Sequence, residues 1–268
     1  MKDSETKEFV KKVKVESAYR KFIKKDIIYK IINIYDKNFN KQSYPNKIDD
    51  PLKIALDFYK NYNINYYNII INGLRNKRIV ISKENGKSFV DKENNKSFIR
   101  IYDNDADVYV IVHELAHFID GNSNPKIVPN QYWFLSEVFS FYMEKKLELY
   151  LKNEKYSDLI SARINNRMYY ESKMVEAIKN ELWYEDLYRK NGVIKKEDIY
   201  IKKIKTIIKY DIECNIVNYL LMYPVANILS DKLIKDAIIT NDNELVKECL
   251  NMNLYDVLED YQQGAMIK

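Results

Sequence analysis

Only two histidines occur in this chain, and they stand four residues apart with a glutamate between them, in the run His113-Glu114-Leu115-Ala116-His117. On a helix, residues i and i+4 share a face about 6 Å apart along the axis, so both imidazoles can turn toward one ion. Glu114 lies about 100° around the helix from His113. It can reach a water on that ion without taking a ligand position. This is the His-Glu-x-x-His logic of zinc peptidases. Neutral imidazoles suit Zn2+, and a catalytic zinc keeps one position open for water, whose pKa it lowers while it polarises the scissile carbonyl. Glu114 is then the general base, taking the proton of the water and handing it to the leaving amine. The plain alternative is a helix that carries two histidines for packing or by chance. Against it, all the histidine of the chain is spent here, the flanking residues (VYVIV before, FI after) are apolar, and a third ligand is at hand.

That third ligand is Glu137, in the stretch YWFLSEVFSFYMEKKLELY. Two histidines and one glutamate leave the fourth position of a tetrahedral zinc for water. Glu144 follows two helical turns later on the same face, where it can accept a hydrogen bond from a ligating imidazole and fix its tautomer. It reads equally well as a solvated residue, because EKKLE looks exposed. Asp120 is a rival ligand, but it is too close along the motif helix to point easily at the ion.

The elements that must position these groups are mostly helical. Apolar residues from Phe9 to Ile32 recur at threes and fours, which predicts helix over residues 5 to 40. Asp49 or Asp50 can cap the next helix, with Pro51 in its first turn. LKIALDFYKNYNINYYNIIINGL is helical at least in its first half. The segments RIVIS, KSFV and SFIRIYD are short, β-branched and separated by KENG and KENN, which predicts a small antiparallel sheet. The run NDAD offers N-caps to the motif helix, and Gly121 can end it. NSNPKIVPN is a loop, Gln131 to Leu151 is helical, and helices continue to the C-terminus, broken near Asn191-Gly192 and bent or started near Pro224. The expected fold is therefore mainly α with a small antiparallel β-sheet, an α+β, zincin-like arrangement. It forms a single domain over residues 1–268, with residues 1–50 as an N-terminal helical region and 51–268 as the catalytic core. An extended peptide is expected to pair with the free edge of the SFIRIY strand.

Charge and composition narrow the partners. Lys+Arg 44 against Asp+Glu 39 gives a net charge of +5 with the signs interspersed, which argues for solvated helix faces rather than a nucleic-acid stripe. The densest basic stretches are KKVKVESAYRKFIKK and IKKEDIYIKKIKTIIKY. No run of about 18 apolar residues exists, so no membrane helix is expected. Cys214 and Cys249 match no metal or redox motif, and the N-terminal residues lack the apolar core of a signal peptide, so a cytoplasmic protein with reduced cysteines is expected. Peptides are the expected partners, with no nucleic acid and no membrane; the oligomeric state is open.

Beyond the motif, the sequence resembles the thimet-oligopeptidase and oligoendopeptidase F family of zinc metallopeptidases. SFIRIYDNDADVYVIVHELAHFIDG resembles the strand, Asp-Val step and zinc motif of that family, and NGKSF a segment ahead of the strand. FLSEVFSFYMEKKLELYL resembles the helix of the third ligand, including a second acidic residue at Glu144. NYLLMYPVANILSDKLIKDAI resembles the C-terminal segment whose tyrosines face the substrate. The resemblance runs from about Pro51 to the end, a reduced catalytic core without most of the family's N-terminal helical region. It implies a mostly helical fold with a small sheet and a substrate channel, and a zinc-dependent endopeptidase acting on short peptides. It implies that His113, His117 and Glu137 bind Zn2+, that Glu114 is the base, and that Tyr223, with Tyr219 beside it, stabilises the oxyanion. Ala116 departs from the family's glycine, the loop between His117 and Glu137 is shorter, and the family's further histidine has no counterpart. Two other readings fit these departures: a catalytically impaired metal- and peptide-binding homologue, and a regulatory or toxin-like zinc protease acting on one protein partner.

Overall fold

A computed structural model describes residues 25–36, 39–43, 50–82, 87–91, 96–102, 107–152, 156–191, 216–236 and 242–263. Most of the two basic stretches, Cys214 and the predicted helix before Lys25 lie outside the described residues. The chain divides into two compact units, residues 1–39 with 168–224 and residues 40–167 with 225–268. In the first, α1 (Lys25–Tyr35) buries Ile27, Ile31 and Ile34, the threefold and fourfold spacing read from the sequence. Its last residue, Tyr35, donates a 2.5 Å hydrogen bond to Glu171.

The second unit holds the motif. Asp50 caps α2 (Pro51–Tyr62), its carboxylate accepting from the Lys53 amide with Pro51 at the start of the helix. The stretch expected to be helical at least in its first half holds two helices: after the extended Asn63, α3 (Ile64–Arg75) begins at once, because the Asn63 side chain accepts from the amides of Asn65 and Tyr66 and restarts the helix. Three strands follow, β1 (Ile79–Ser82), β2 (Lys87–Asp91) and β3 (Lys96–Tyr102). The expected antiparallel sheet is corrected to a mixed one of order β1-β3-β2. β2 pairs antiparallel with β3, as a short connection favours, but β1 pairs parallel on the other side of β3, with Ile79 opposite Ile99 and Ile81 opposite Ile101. Placing β3 in the middle supplies hydrogen-bond partners on both sides of the strand that buries Ile99 and Ile101. SFIRIY is thus the central strand, and the edges belong to β1 and β2.

Helix α4 (Val108–Asn122) packs on β3 and β2, on α2 and α3, and on α5 (Ser136–Tyr150). Val108, Tyr109, Ile111, Val112, Leu115, Ala116, Phe118 and Ile119 are all buried, which is why its sequence is apolar almost all round. Asp107 caps it by accepting from the Val110 amide at 2.8 Å. Gly121 does not end it; the helix runs to Asn122, and Ser123 is the C-cap. The glycine that matters for packing is Gly73 on α3, where an added Cβ would lie 2.4 Å from the Phe118 ring and 2.7 Å from Ile79. α5 is preceded by 3-10 structure over Asn130–Leu135, interrupted by a kink at Tyr132, so the expected helix from Gln131 is regular α only from Ser136. Then come α6 (Ser157–Asn191), α7 (Ile216–Lys235), a 3-10 turn at Asp242–Glu244, α8 (Leu245–Asn251) and α9 (Leu254–Gln262). The boundary between the units falls within α6 and within α7. Pro224 lies inside α7 rather than at its start. Among the described residues no helix is long and apolar enough to cross a membrane.

Candidate metal centre

The two histidines project from one face of α4, with ring centroids 4.9 Å apart and planes at 78°. Opposite them, Glu137 stands in the first turn of α5, where the helix N-terminus favours a carboxylate charge. Its Oε2 lies 3.1 Å from His113 Nε2 and its Oε1 3.5 Å from His117 Nε2. One ligand atom from each of His113, His117 and Glu137 falls within 4.8 Å of the others. Bonds of about 2.0–2.2 Å in a tetrahedron separate ligand atoms by roughly 3–4 Å, so the set fits a zinc-sized ion. Buried Glu137 Oε2 is at contact distance from His113 Nε2 yet lacks the alignment of a hydrogen bond. The three ligand atoms are thus close enough together to share one ion.

His113 is fixed from behind. Its Nδ1 is 2.8 Å from Glu144 Oε1, leaving Nε2 for the metal side. Glu144 is fully buried, not solvated. Its other oxygen accepts from Arg163 Nε at 3.1 Å and Nη2 at 2.9 Å, and from Arg167 Nη2 at 3.0 Å. Arg167 also bridges to Glu148 at 2.8 Å. These arginines escaped sequence reasoning. The available signal was a matched spacing, Glu144 and Glu148 on one helix and Arg163 and Arg167 on another, each pair four apart. Both arginines also lie over aromatic rings, Arg163 over Tyr109 at 5.3 Å and Arg167 over Phe141 at 5.6 Å.

The charges follow from this geometry. Burial alone would raise the carboxyl pKa of Glu137, but the facing histidines override it and hold the group below its ordinary range. Burial likewise works against ionised Glu144, and Arg163, Arg167 and His113 together push its pKa down. For His113, burial lowers the pKa, but the carboxylates of Glu137 and Glu144 that face its two ring nitrogens prevail and lift it to about 10. A divalent ion would take the place of the proton between His113 and Glu137. Burial raises the Asp107 carboxyl, partly countered by Arg163.

Glu114 follows His113 on α4, and its Oε2 is buried without a hydrogen-bond partner among the described residues. A carboxylate oxygen without a partner keeps its capacity to accept a proton. Asp120 is no ligand: its Oδ1 accepts from the Val128 amide at 2.6 Å and ties down the loop after α4. Tyr59 supports the motif from α2, its hydroxyl donating to the Val112 carbonyl at 2.8 Å. Tyr223 is half-buried on α7 and belongs to the first unit. The side chain of Tyr219, on the same helix, lies outside what is described.

No protein-family model and no curated protein matches this sequence. Among solved structures, the fold is similar to the crystal structure of "a putative oligoendopeptidase F from Bacillus anthracis str. Ames", with a TM-score of 0.55 at 14% identity. The match covers 90% of this chain and 53% of that one, so the chain spans about half the length of that protein. What the two share is the mostly helical fold.

Proposed function

We propose that the protein is a zinc-dependent peptidase of zincin-like fold, with residues 1–268 acting as one catalytic domain. The observation that carries the reading is the convergence of His113, His117 and Glu137, with Glu114 next to His113 in sequence and one of its carboxylate oxygens unbonded among the described residues. Zinc held by those three side chains supplies Lewis acidity, lowering the pKa of water and polarising a carbonyl. Glu114 accepts the proton of the attacking water and returns it to the departing amine. Glu144, held by Arg163 and Arg167, keeps the His113 proton on Nδ1 and the ring in orientation. Tyr223 and Tyr219 are the proposed donors to the developing oxyanion, on the strength of the family resemblance.

Peptides are the proposed substrates. α4 packs on β2 and β3, and β2 is an edge strand, so an extended peptide would add to β2 rather than to SFIRIY. A cytoplasmic location is in keeping with the buried, free thiol of Cys249.

The test is metal analysis together with cleavage of a peptide library by the intact chain and by Glu114→Gln. Close to one zinc per chain, with chelator-sensitive cleavage lost in the variant, is expected. Absence of bound zinc, or cleavage unaltered by the substitution, overturns the proposal. Zinc and peptide binding without turnover would instead assign an impaired homologue.

A further inference from the structure

Helix α5 has a second functional face. Glu137, Phe141, Glu144 and Glu148 fall within about 60° of one another around its axis, whereas Tyr142 and Lys146 lie roughly 140–180° away from Glu137. On that far side is a cavity of about 760 Å3, lined among others by Tyr62, Tyr66, Tyr142, Lys146 and Asp242. The size is that of a small-molecule site.

The unusual group there is Asp242. It is 8% exposed. Each carboxylate oxygen accepts one tyrosine hydroxyl, Tyr62 at 2.7 Å and Tyr66 at 2.8 Å. No Lys, Arg or His among the described residues pairs with it, in contrast to Glu137 and Glu144. A buried carboxylate is ordinarily balanced by a cation, because hydroxyl donors solvate its charge but do not cancel it. Two tyrosine donors also leave acceptor capacity on both oxygens. Burial first and the Asp242 charge next raise the hydroxyl pKa of Tyr62 and Tyr66, so both stay protonated, donating to an anion. Asp120 adds a second negative charge near Tyr66. Three tyrosines are among the lining residues, and aromatic faces attract cations; one already carries an ammonium, with Lys146 Nζ 5.1 Å from the Tyr142 ring centroid. That lysine makes the cavity two-signed, negative at Asp242 and positive at Lys146, which disfavours a simple cation and suits a zwitterion.

We propose that this cavity binds the ammonium group of a free amino acid or of a peptide amino terminus, with Asp242 as the counter-charge. The site is separate from the metal centre and does not rest on the peptidase reading. Pro125 and Ile127 offer apolar contact to the remainder of the ligand.

Calorimetry on the full chain tests it with four probes: L-leucine, leucinamide, N-acetyl-L-leucine and Leu-Gly-Gly. L-leucine or Leu-Gly-Gly is expected to bind at least about tenfold more tightly than N-acetyl-L-leucine, which lacks the ammonium. Binding by L-leucine alone assigns the free amino acid; binding by Leu-Gly-Gly as well assigns the amino terminus. Leucinamide weaker than L-leucine places the carboxylate on Lys146. Asp242→Asn should abolish the preference, and Ile69→Trp, which sets an indole into the cavity lining and keeps the Asp242 carboxylate, should weaken binding by every probe. Should Asp242→Asn fail to fold, the probe series and Ile69→Trp decide. Equal binding of N-acetyl-L-leucine, no binding of any probe at millimolar concentration, or full binding by Ile69→Trp overturns the proposal.

Discussion

The two faces of α5 solve the same problem in opposite ways. On the face that meets α4, the buried Glu137 and Glu144 are surrounded by imidazoles and guanidinium groups. On the far face, Asp242 is about as buried as Glu137, but among the described residues its hydrogen-bond partners are tyrosine hydroxyls. The first set of carboxylates is locked to its neighbours and therefore orients something else, the two histidines. The second is left with an unbalanced charge and therefore has something to offer a ligand. Burial alone does not make a carboxylate functional; the kind of donor around it decides which function it can have.

Substitutions break this contrast with graded effects. The largest belongs to Glu114→Gln, which should lower peptide cleavage by about 10²–10⁴-fold while leaving metal content unchanged, measured by steady-state kinetics and metal analysis. Next, Arg167→Met leaves the buried Glu144 charge poorly balanced and should cost about 3–5 kcal/mol in denaturant unfolding. By comparison, Asp242→Asn orphans no cation and should cost only about 1 kcal/mol; a loss as large as that of Arg167→Met would erase the distinction drawn here. Between them stands Glu144→Gln, expected to weaken zinc affinity by about 10–100-fold in chelator competition.

The two faces should also differ in pH response. In the metal-free protein the His113 pKa stands at about 10, above its ordinary 6.5. A raised pKa means that the folded state holds the proton more tightly, so this stabilisation is complete below about 6.5 and is lost as pH rises toward about 10. The Tyr62 and Tyr66 pKas are raised above the ordinary tyrosine value of 10.0, so they contribute no slope over that window. Thermal unfolding of chelator-treated protein should show a Tm falling with pH from about 6.5 to 10, with the slope reduced by Glu144→Gln and kept in Tyr66→Phe.

Much of the candidate site's arrangement was legible in the sequence, because helical periodicity is a local rule. It put His113 and His117 on one face, offered the NDAD run as caps for their helix and Asp49 or Asp50 with Pro51 as a helix start, and set Glu144 on the face of Glu137. Gly121 misled, since Ser123 ends the helix without a glycine. Strand order was not legible: short turns suggested neighbours in sequence as neighbours in the sheet, whereas β1 crosses to the far side of β3.

What the sequence determined by itself, then, is the donor set and its helical phase, since residue type and a 3.6-residue period need no partner to be defined. What only the tertiary structure decided is which charges meet. The Arg163–Arg167 clamp on Glu144 joins separate helices, and the cavity at Asp242 joins residues as distant in sequence as Tyr62 and Asp242. Such contacts depend on how faces pack, and apolar packing is non-directional; the pattern says which face is buried but not against what.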